Sequence, residues 1–239
     1  MENKIIWITG ASSGIGLSAV TKFLSNGAYV IATSKNKKKL NKLESHDNLH
    51  LEAGDLTNID ICHAIVDRIV KKYGRIDIVV NNAGTNIEHR SLSALTPSGI
   101  DELIDTNLKS LFYITTSVLP IMRRQRYGQF IHISSWTARW NLKVLGAAYS
   151  AAKQGILALN TSINQEEQLN GIKSSVILPA EVNTPMLMDR EEPLTSKEKN
   201  KMLKASQVAD SIFYIASTPN NVVINELVIS PLGNRYYTE

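Results

Sequence analysis

The chain has 239 residues, with 26 Lys plus Arg against 22 Asp plus Glu, a formal charge of +4 and a pI near 9.0. Hydrophobic residues at 43% and charged residues at 20% exclude a disordered, collagen-like or polyelectrolyte chain, and no apolar run approaches the ~20 residues of a membrane span. The single cysteine, Cys62, excludes an internal disulfide and a cysteine-held zinc; with no space for a leader before Ile5, a cytoplasmic protein is expected.

Strand-length apolar runs occur at Ile5–Thr9, Ala28–Thr33, Leu49–Ala53, Ile76–Val80, Gln129–Ser134, Lys173–Leu178 and Glu226–Ile229. Helical periodicity fills Gly14–Asn26, Asn36–Glu44, Asn58–Tyr73, Gly99–Arg126, Tyr149–Leu169 and Gln207–Ala216 between them. Several strands are nearly continuous in Val, Ile and Leu, as expected where helices cover both faces of a parallel sheet. The alternation predicts an α/β, Rossmann-type doubly wound parallel sheet of about seven strands, in a single domain over residues 1–239. Pro185, Pro193 and a run of charges break the rhythm over residues 183–205, which reads as a substrate loop or lid, or as a plain solvated loop. The lysines cluster at 35–42 and 197–204 rather than along one repeated surface, so no nucleic-acid partner is expected, and no membrane.

Thr9-Gly10-Ala11-Ser12-Ser13-Gly14-Ile15-Gly16 follows the first strand and opens an amphipathic helix. Glycines allow backbone angles that a Cβ forbids and let the main chain approach a pyrophosphate, while the helix N-terminus offers free N–H groups and positive dipole. The spacing departs from G-x-G-x-x-G. It resembles the Thr-Gly-x-x-x-Gly-x-Gly cofactor signature of the short-chain dehydrogenase/reductase family, and Asn81-Asn82-Ala83-Gly84 after the fourth strand resembles that family's second signature. The resemblance spans nearly the whole chain. It implies that Gly10, Gly14, Ile15 and Gly16 surround the pyrophosphate, with Ser12 and Ser13 in the same turn, and that Asn82, Ala83 and Gly84 lie on the adenosine side. Asp55, followed by Leu56, matches the family's adenine contact; as a residue it could equally cap the helix that begins near Asn58.

Cofactor choice belongs at the end of the second strand, Ala32-Thr33-Ser34-Lys35-Asn36. An acidic residue there would accept from ribose hydroxyls and repel a 2′-phosphate; none is present. Ser34-Lys35 resembles the Ser-Arg pair of NADP-dependent relatives, with lysine as a point charge rather than a fork. NADP(H) is therefore expected to be preferred, with NAD(H) left open.

Tyr149 and Lys153 lie four apart at the start of an alanine-rich helical pattern, on one helix face. A neighbouring ammonium would lower the tyrosine pKa by ~1–3 units and make it a poised acid/base. Ile133-Ser134-Ser135 ends the fifth strand fourteen residues upstream of Tyr149. The resemblance makes Ser135 catalytic, with Ser134 the second choice, and makes Asn107 the fourth member of a Ser-Tyr-Lys-Asn set that positions a water for Lys153. It also places Pro179, Val182 and Thr184 against the nicotinamide, although Ala180 stands where the family has glycine. The five histidines show no metal-ligand spacing, so no metal is expected.

Between Ser135 and Tyr149 the chain must pass the substrate. Trp136, Arg139, Trp140 and Lys143 there suggest a pocket for a flat or anionic group, or an oligomer contact. The family implies a homodimer or homotetramer and a small-molecule substrate. The expected function is an NADP(H)-dependent oxidoreductase interconverting a secondary alcohol and a carbonyl compound, with a 3-hydroxy acid as one candidate. The alternatives are a 3-oxoacyl thioester reductase and a catalytically silent dinucleotide-binding regulator.

Overall fold

Strand β1 (Ile5–Thr9) is buried at every position, and its side chains divide between two cores by the twofold alternation of a strand. Ile5 and Trp7 enter one cluster with Ile31, Val79, Phe130 and Val176. Ile6 and Ile8 enter the other with Val30, Ile78, Val80 and Ile131. Each fully buried aliphatic side chain contributes roughly 1.5–3 kcal/mol, so this alternation fixes the strand's register as well as its place. The computed structural model describes residues 1–186 and 194–237.

The remaining strands are β2 (Tyr29–Ser34), β3 (Leu49–Ala53), β4 (Ile78–Asn81), β5 (Gly128–Ile133), β6 (Ile172–Pro179), β7 (Val182–Asn183), β8 (Leu203–Lys204) and β9 (Glu226–Ile229). Seven of them form one sheet in the order β3-β2-β1-β4-β5-β6-β9, with parallel pairing throughout. Helices α1 (Gly14–Leu24) and α8 (Ala205–Ala216) cover one face. Helices α3 (Ile59–Tyr73), α5 (Ser110–Gln125) and α6 (Ala147–Glu167) cover the other. The helices α2 (Lys37–Leu40), α4 (Pro97–Ile104) and α7 (Ser196–Lys201) are short. This is the doubly wound Rossmann arrangement expected.

Two expected helices are corrected. The segment expected over Asn36–Glu44 yields only α2, whose sole buried residue is Leu40 behind three consecutive lysines, so little apolar surface supports further turns. The long helix expected over Gly99–Arg126 is divided by a π-helical turn at Asp105–Lys109, which carries Asn107. Of the expected lid, residues 187–193 lie outside the described residues. Its flanks are ordered: β7 pairs with β8, and Thr195 caps α7 in a reciprocal box with Glu198.

The turn that leads into β9 is held by a buried cation. Lys173, on β6, donates through Nζ to the carbonyls of Thr218 (3.2 Å), Pro219 (2.9 Å) and Val222 (2.9 Å) and to the Thr218 hydroxyl (2.9 Å). No helix among the described residues is long and apolar enough to cross a membrane.

Candidate active site

A cleft of about 530 Å3 opens at the carboxyl edge of the sheet, where the strand order reverses between β1 and β4. Thr9 joins its two sides: its hydroxyl accepts from the Asn82 and Ala83 amides at 3.0 Å each. Asn82 Nδ2 in turn donates to the carbonyls of Thr9 (3.0 Å) and Gly10 (3.2 Å). Gly10 and Gly14 sit at φ +63 and +54, which only glycine adopts without strain. A Cβ on Gly16 would stand 2.3 Å from the Gly10 carbonyl oxygen, so Gly16 permits close packing behind the turn and does not line the cleft. Ser13 makes no side-chain cap to α1, which leaves the first-turn N–H groups available where Ser13, Gly14 and Ile15 form the cleft wall. Free N–H groups at a helix N-terminus can hold an anion such as a pyrophosphate, and the residues present fit a nicotinamide dinucleotide.

Opposite the glycine turn, Pro179, Val182 and Thr184 line the cleft, with Thr184 so near that a Cβ on Gly14 would come within 3.2 Å of its methyl. Ala180 keeps this segment in place through its amide, which donates to the Ile229 carbonyl at 2.8 Å.

At the far end, β5 delivers Ser134 and Ser135, while α6 delivers Tyr149 and Lys153 from one face. All four are buried. The two serines are used differently. Ser134 Oγ donates to the Lys153 carbonyl at 2.8 Å and fastens α6 to β5, whereas Ser135 lines the cleft together with Tyr149 and its Oγ accepts from the Thr137 amide at 3.4 Å. Lys153 Nζ donates to the Ile133 carbonyl at 3.1 Å and lies 5.6 Å from the Tyr149 ring centroid.

The expected lowering of the tyrosine by its lysine neighbour is not found. Burial pushes the Tyr149 phenol up to about 12, against smaller downward effects of the neighbouring Ser135 hydroxyl and the Arg90 charge. Burial likewise pushes the Lys153 ammonium down to about 8.

Asn107 stands behind this pair, fully buried. Its Nδ2 donates to the carbonyls of Thr85 and Leu103 at 2.9 Å each, and its Oδ1 accepts from the Thr85 amide at 3.2 Å. A Cβ on Gly84 would meet Asn107 Oδ1 at 2.9 Å and Lys153 Nζ at 3.4 Å, so the turn after β4 is fitted closely over both groups.

At the opposite end, Ser12 and Ser34 share a hydroxyl contact of 2.9 Å, and both line the cleft with Lys35. Lys35 Nζ pairs with Asp55 Oδ2 at 2.7 Å. The cap that Asp55 could have supplied comes instead from Asn58, whose Oδ1 accepts from the Asp60 amide. Leu56 faces the core rather than the cleft.

The substrate set expected between Ser135 and Tyr149 is largely corrected. Only Trp136 lines the cleft. Arg139 is turned to the edge of the sheet, where its guanidinium grips the Glu226 carboxylate, with Nε to Oε2 at 2.9 Å. Trp140 stacks on Trp136 at 4.3 Å, and Lys143 is exposed. The cleft is completed by residues that sequence reasoning missed, including Asn86, Glu102, Leu145, Met186 and Tyr236. Leu145 and Met186 lie in segments expected to meet substrate but carry no polar signal of their own, and Asn86, Glu102 and Tyr236 lie outside every motif. Tyr236 arrives from the C-terminal turn, which is seated by Tyr237 packing edge-on against Trp136 at 5.5 Å and by Ser230 at 3.0 Å from the Tyr237 hydroxyl.

A family model described as short chain dehydrogenase matches residues 4–195. The chain belongs to the short-chain dehydrogenase family. It is 31% identical over 235 residues to an uncharacterized oxidoreductase of Staphylococcus haemolyticus, covering 97% of this chain and 99% of the relative. It is 30% identical over 238 residues to a 3-oxoacyl-[acyl-carrier-protein] reductase of Thermotoga maritima, covering 95% and 96% of the two chains. Among solved structures, the closed form of a serine dehydrogenase complexed with NADP+ superimposes with a TM-score of 0.90 at 26% identity, covering 98% of each chain. This short-chain dehydrogenase is thus an oxidoreductase dependent on a nicotinamide dinucleotide.

Proposed function

We propose that this chain interconverts a secondary alcohol and a carbonyl compound with NADP(H) preferred, acting on a small polar substrate of the 3-hydroxy-acid kind. The observation that carries the reading is that Ser135, Tyr149 and Lys153 come together, buried, at one end of the cleft that begins at the glycine turn. The bound nicotinamide supplies or accepts the hydride. In the reducing direction Tyr149 gives its proton to the substrate oxygen, and its upward shift keeps it protonated at neutral pH, the form that reduction needs. The Ser135 hydroxyl stabilises the charge growing on that oxygen. Lys153 holds the nicotinamide ribose, and with a pKa near 8 it exchanges protons readily at neutral pH. Asn107 acts through Thr85 as a positioning residue, with its amide committed to main-chain partners.

Gly10, Ser12, Ser13, Gly14 and Ile15 hold the phosphates, Asn82, Ala83 and Gly84 the adenosine side, and Ser34 with Lys35 the 2′-phosphate. Residues 1–239 act as one dinucleotide-binding unit, a homodimer or homotetramer in the cytoplasm. The likeness to the serine dehydrogenase supports the hydroxy-acid substrate; the name of the Thermotoga relative supports 3-oxoacyl thioester reduction as a second reading. A panel of 3-hydroxy acids, ketones and acyl thioesters, assayed with NADP(H) and NAD(H), tests both. Turnover favouring hydroxy acids is expected. Turnover confined to acyl thioesters transfers the assignment to the second reading, and turnover surviving Tyr149→Phe overturns the site.

A further inference from the structure

Parallel pairing of β2 with β3 sets Ser34 opposite Ala53, so the chain leaves both strands at the same carboxyl edge and in the same direction. Lys35 follows at once on one strand and Asp55 two residues on from the other. Their side chains meet at 2.7 Å beside the end of the cleft that Ser34 and Lys35 line.

The two partners are not equally free. Asp55 Oδ1 accepts from the Thr57 amide at 3.1 Å and from the Thr57 hydroxyl at 2.8 Å, which fixes the carboxylate and presents Oδ2 outward. Lys35 carries its ammonium on a four-carbon stem whose side chain is 79% exposed. Glu102, on the facing wall of the cleft, adds a second negative charge that acts on Lys35. A 2′-phosphate that recruits Lys35 must therefore draw it from an anion already in contact with it.

We infer that Asp55 tunes cofactor preference by detaining Lys35, so that this chain discriminates NADP(H) from NAD(H) less sharply than its lysine alone would allow. The inference rests on the reading of Lys35 as the 2′-phosphate ligand. Asp55 is then a specificity-determining residue beside any part it has in meeting adenine, and the two roles predict different results. Loss of an adenine contact weakens both cofactors alike. Release of Lys35 raises the NADP+ to NAD+ affinity ratio.

The test measures dissociation constants of NADP+ and NAD+ by calorimetry for the wild type, Asp55→Asn, Lys35→Met and the double variant. Asp55→Asn keeps the Oδ1 acceptor that holds Thr57 and removes only the charge, and thermal melts verify that it folds as the wild type does. An exposed ion pair of this kind should move the affinity ratio about two- to five-fold in favour of NADP+ in Asp55→Asn. Lys35→Met should lower the ratio about ten-fold or more, as expected for loss of a charge-assisted contact. In the double variant the ratio should equal that of Lys35→Met, because Asp55 then has nothing to detain. An unchanged or lowered ratio in Asp55→Asn overturns the inference while Lys35 keeps its assignment. A rise that persists in the double variant also overturns it, since Asp55 would then act by direct repulsion. An unchanged ratio in Lys35→Met overturns the 2′-phosphate reading itself.

Discussion

Two buried bases each make the stability of this protein rise with pH, one across the acid range and one across the alkaline range. His132 accepts a hydrogen bond from the Asn81 amide at Nδ1 and has no partner at Nε2; burial pushes it down to about 3. As pH falls below the ordinary 6.5, the unfolded chain takes up a proton that the folded chain refuses until about 3, so stability is lost across that window. His132→Gln should flatten this limb by about 1.4 kcal/mol per pH unit, read from urea melts between pH 6 and 4. Lys153 works on the alkaline side. Its charge is buried at a cost below about pH 8, and from there to the ordinary 10.5 the unfolded chain binds the extra proton, so this term raises stability with pH. Tyr149→Phe removes the proton donor while leaving the ring's packing intact. Turnover should fall about 10²- to 10⁴-fold with cofactor affinity unchanged, measured by steady-state kinetics beside a binding titration.

The π turn at Asp105–Lys109 places one amide where it can satisfy both main-chain groups of Thr85. Asn107→Leu leaves those groups and the Leu103 carbonyl without their side-chain partner in a buried site. About 2 to 4 kcal/mol of stability should be lost, read by chemical denaturation, since each unsatisfied group costs roughly 1–3 kcal/mol. How much of this was legible in the sequence follows from what each feature depends on. Strands β1, β3 and β9 have the bounds that their runs indicate, although only β1 is buried at every position. That Gly10, Gly14, Ser135, Tyr149 and Lys153 line one cleft was legible in their spacing at the ends of strands and on one helix face. The π turn left no signal, since an asparagine in a helical stretch looks the same whether or not a neighbouring turn requires it. Arg139 was misread because Glu226 lies 87 residues away, and nothing local announces such a pair.

At the scale of the whole molecule, α5 covers the sheet with Leu111, Ile114, Val118 and Met122 while leaving Phe112 45% exposed on its outer side. An aromatic ring in that position suits the proposed contact between copies of the chain. Phe112→Glu should reduce the sedimenting mass to that of one chain and leave the circular dichroism unchanged; a mass that does not change assigns the contact to another face. The sheet also ends in an unusual fastening. The turn that carries the chain into β9 hangs from the Lys173 ammonium rather than from an apolar plug. An amine sheltered in this way is shielded from acylating reagents, whereas Lys37, Lys38 and Lys39 on the surface are open to them. In a time course of acetic anhydride labelling followed by peptide mass spectrometry, Lys173 becomes a clock for the detachment of that outermost strand.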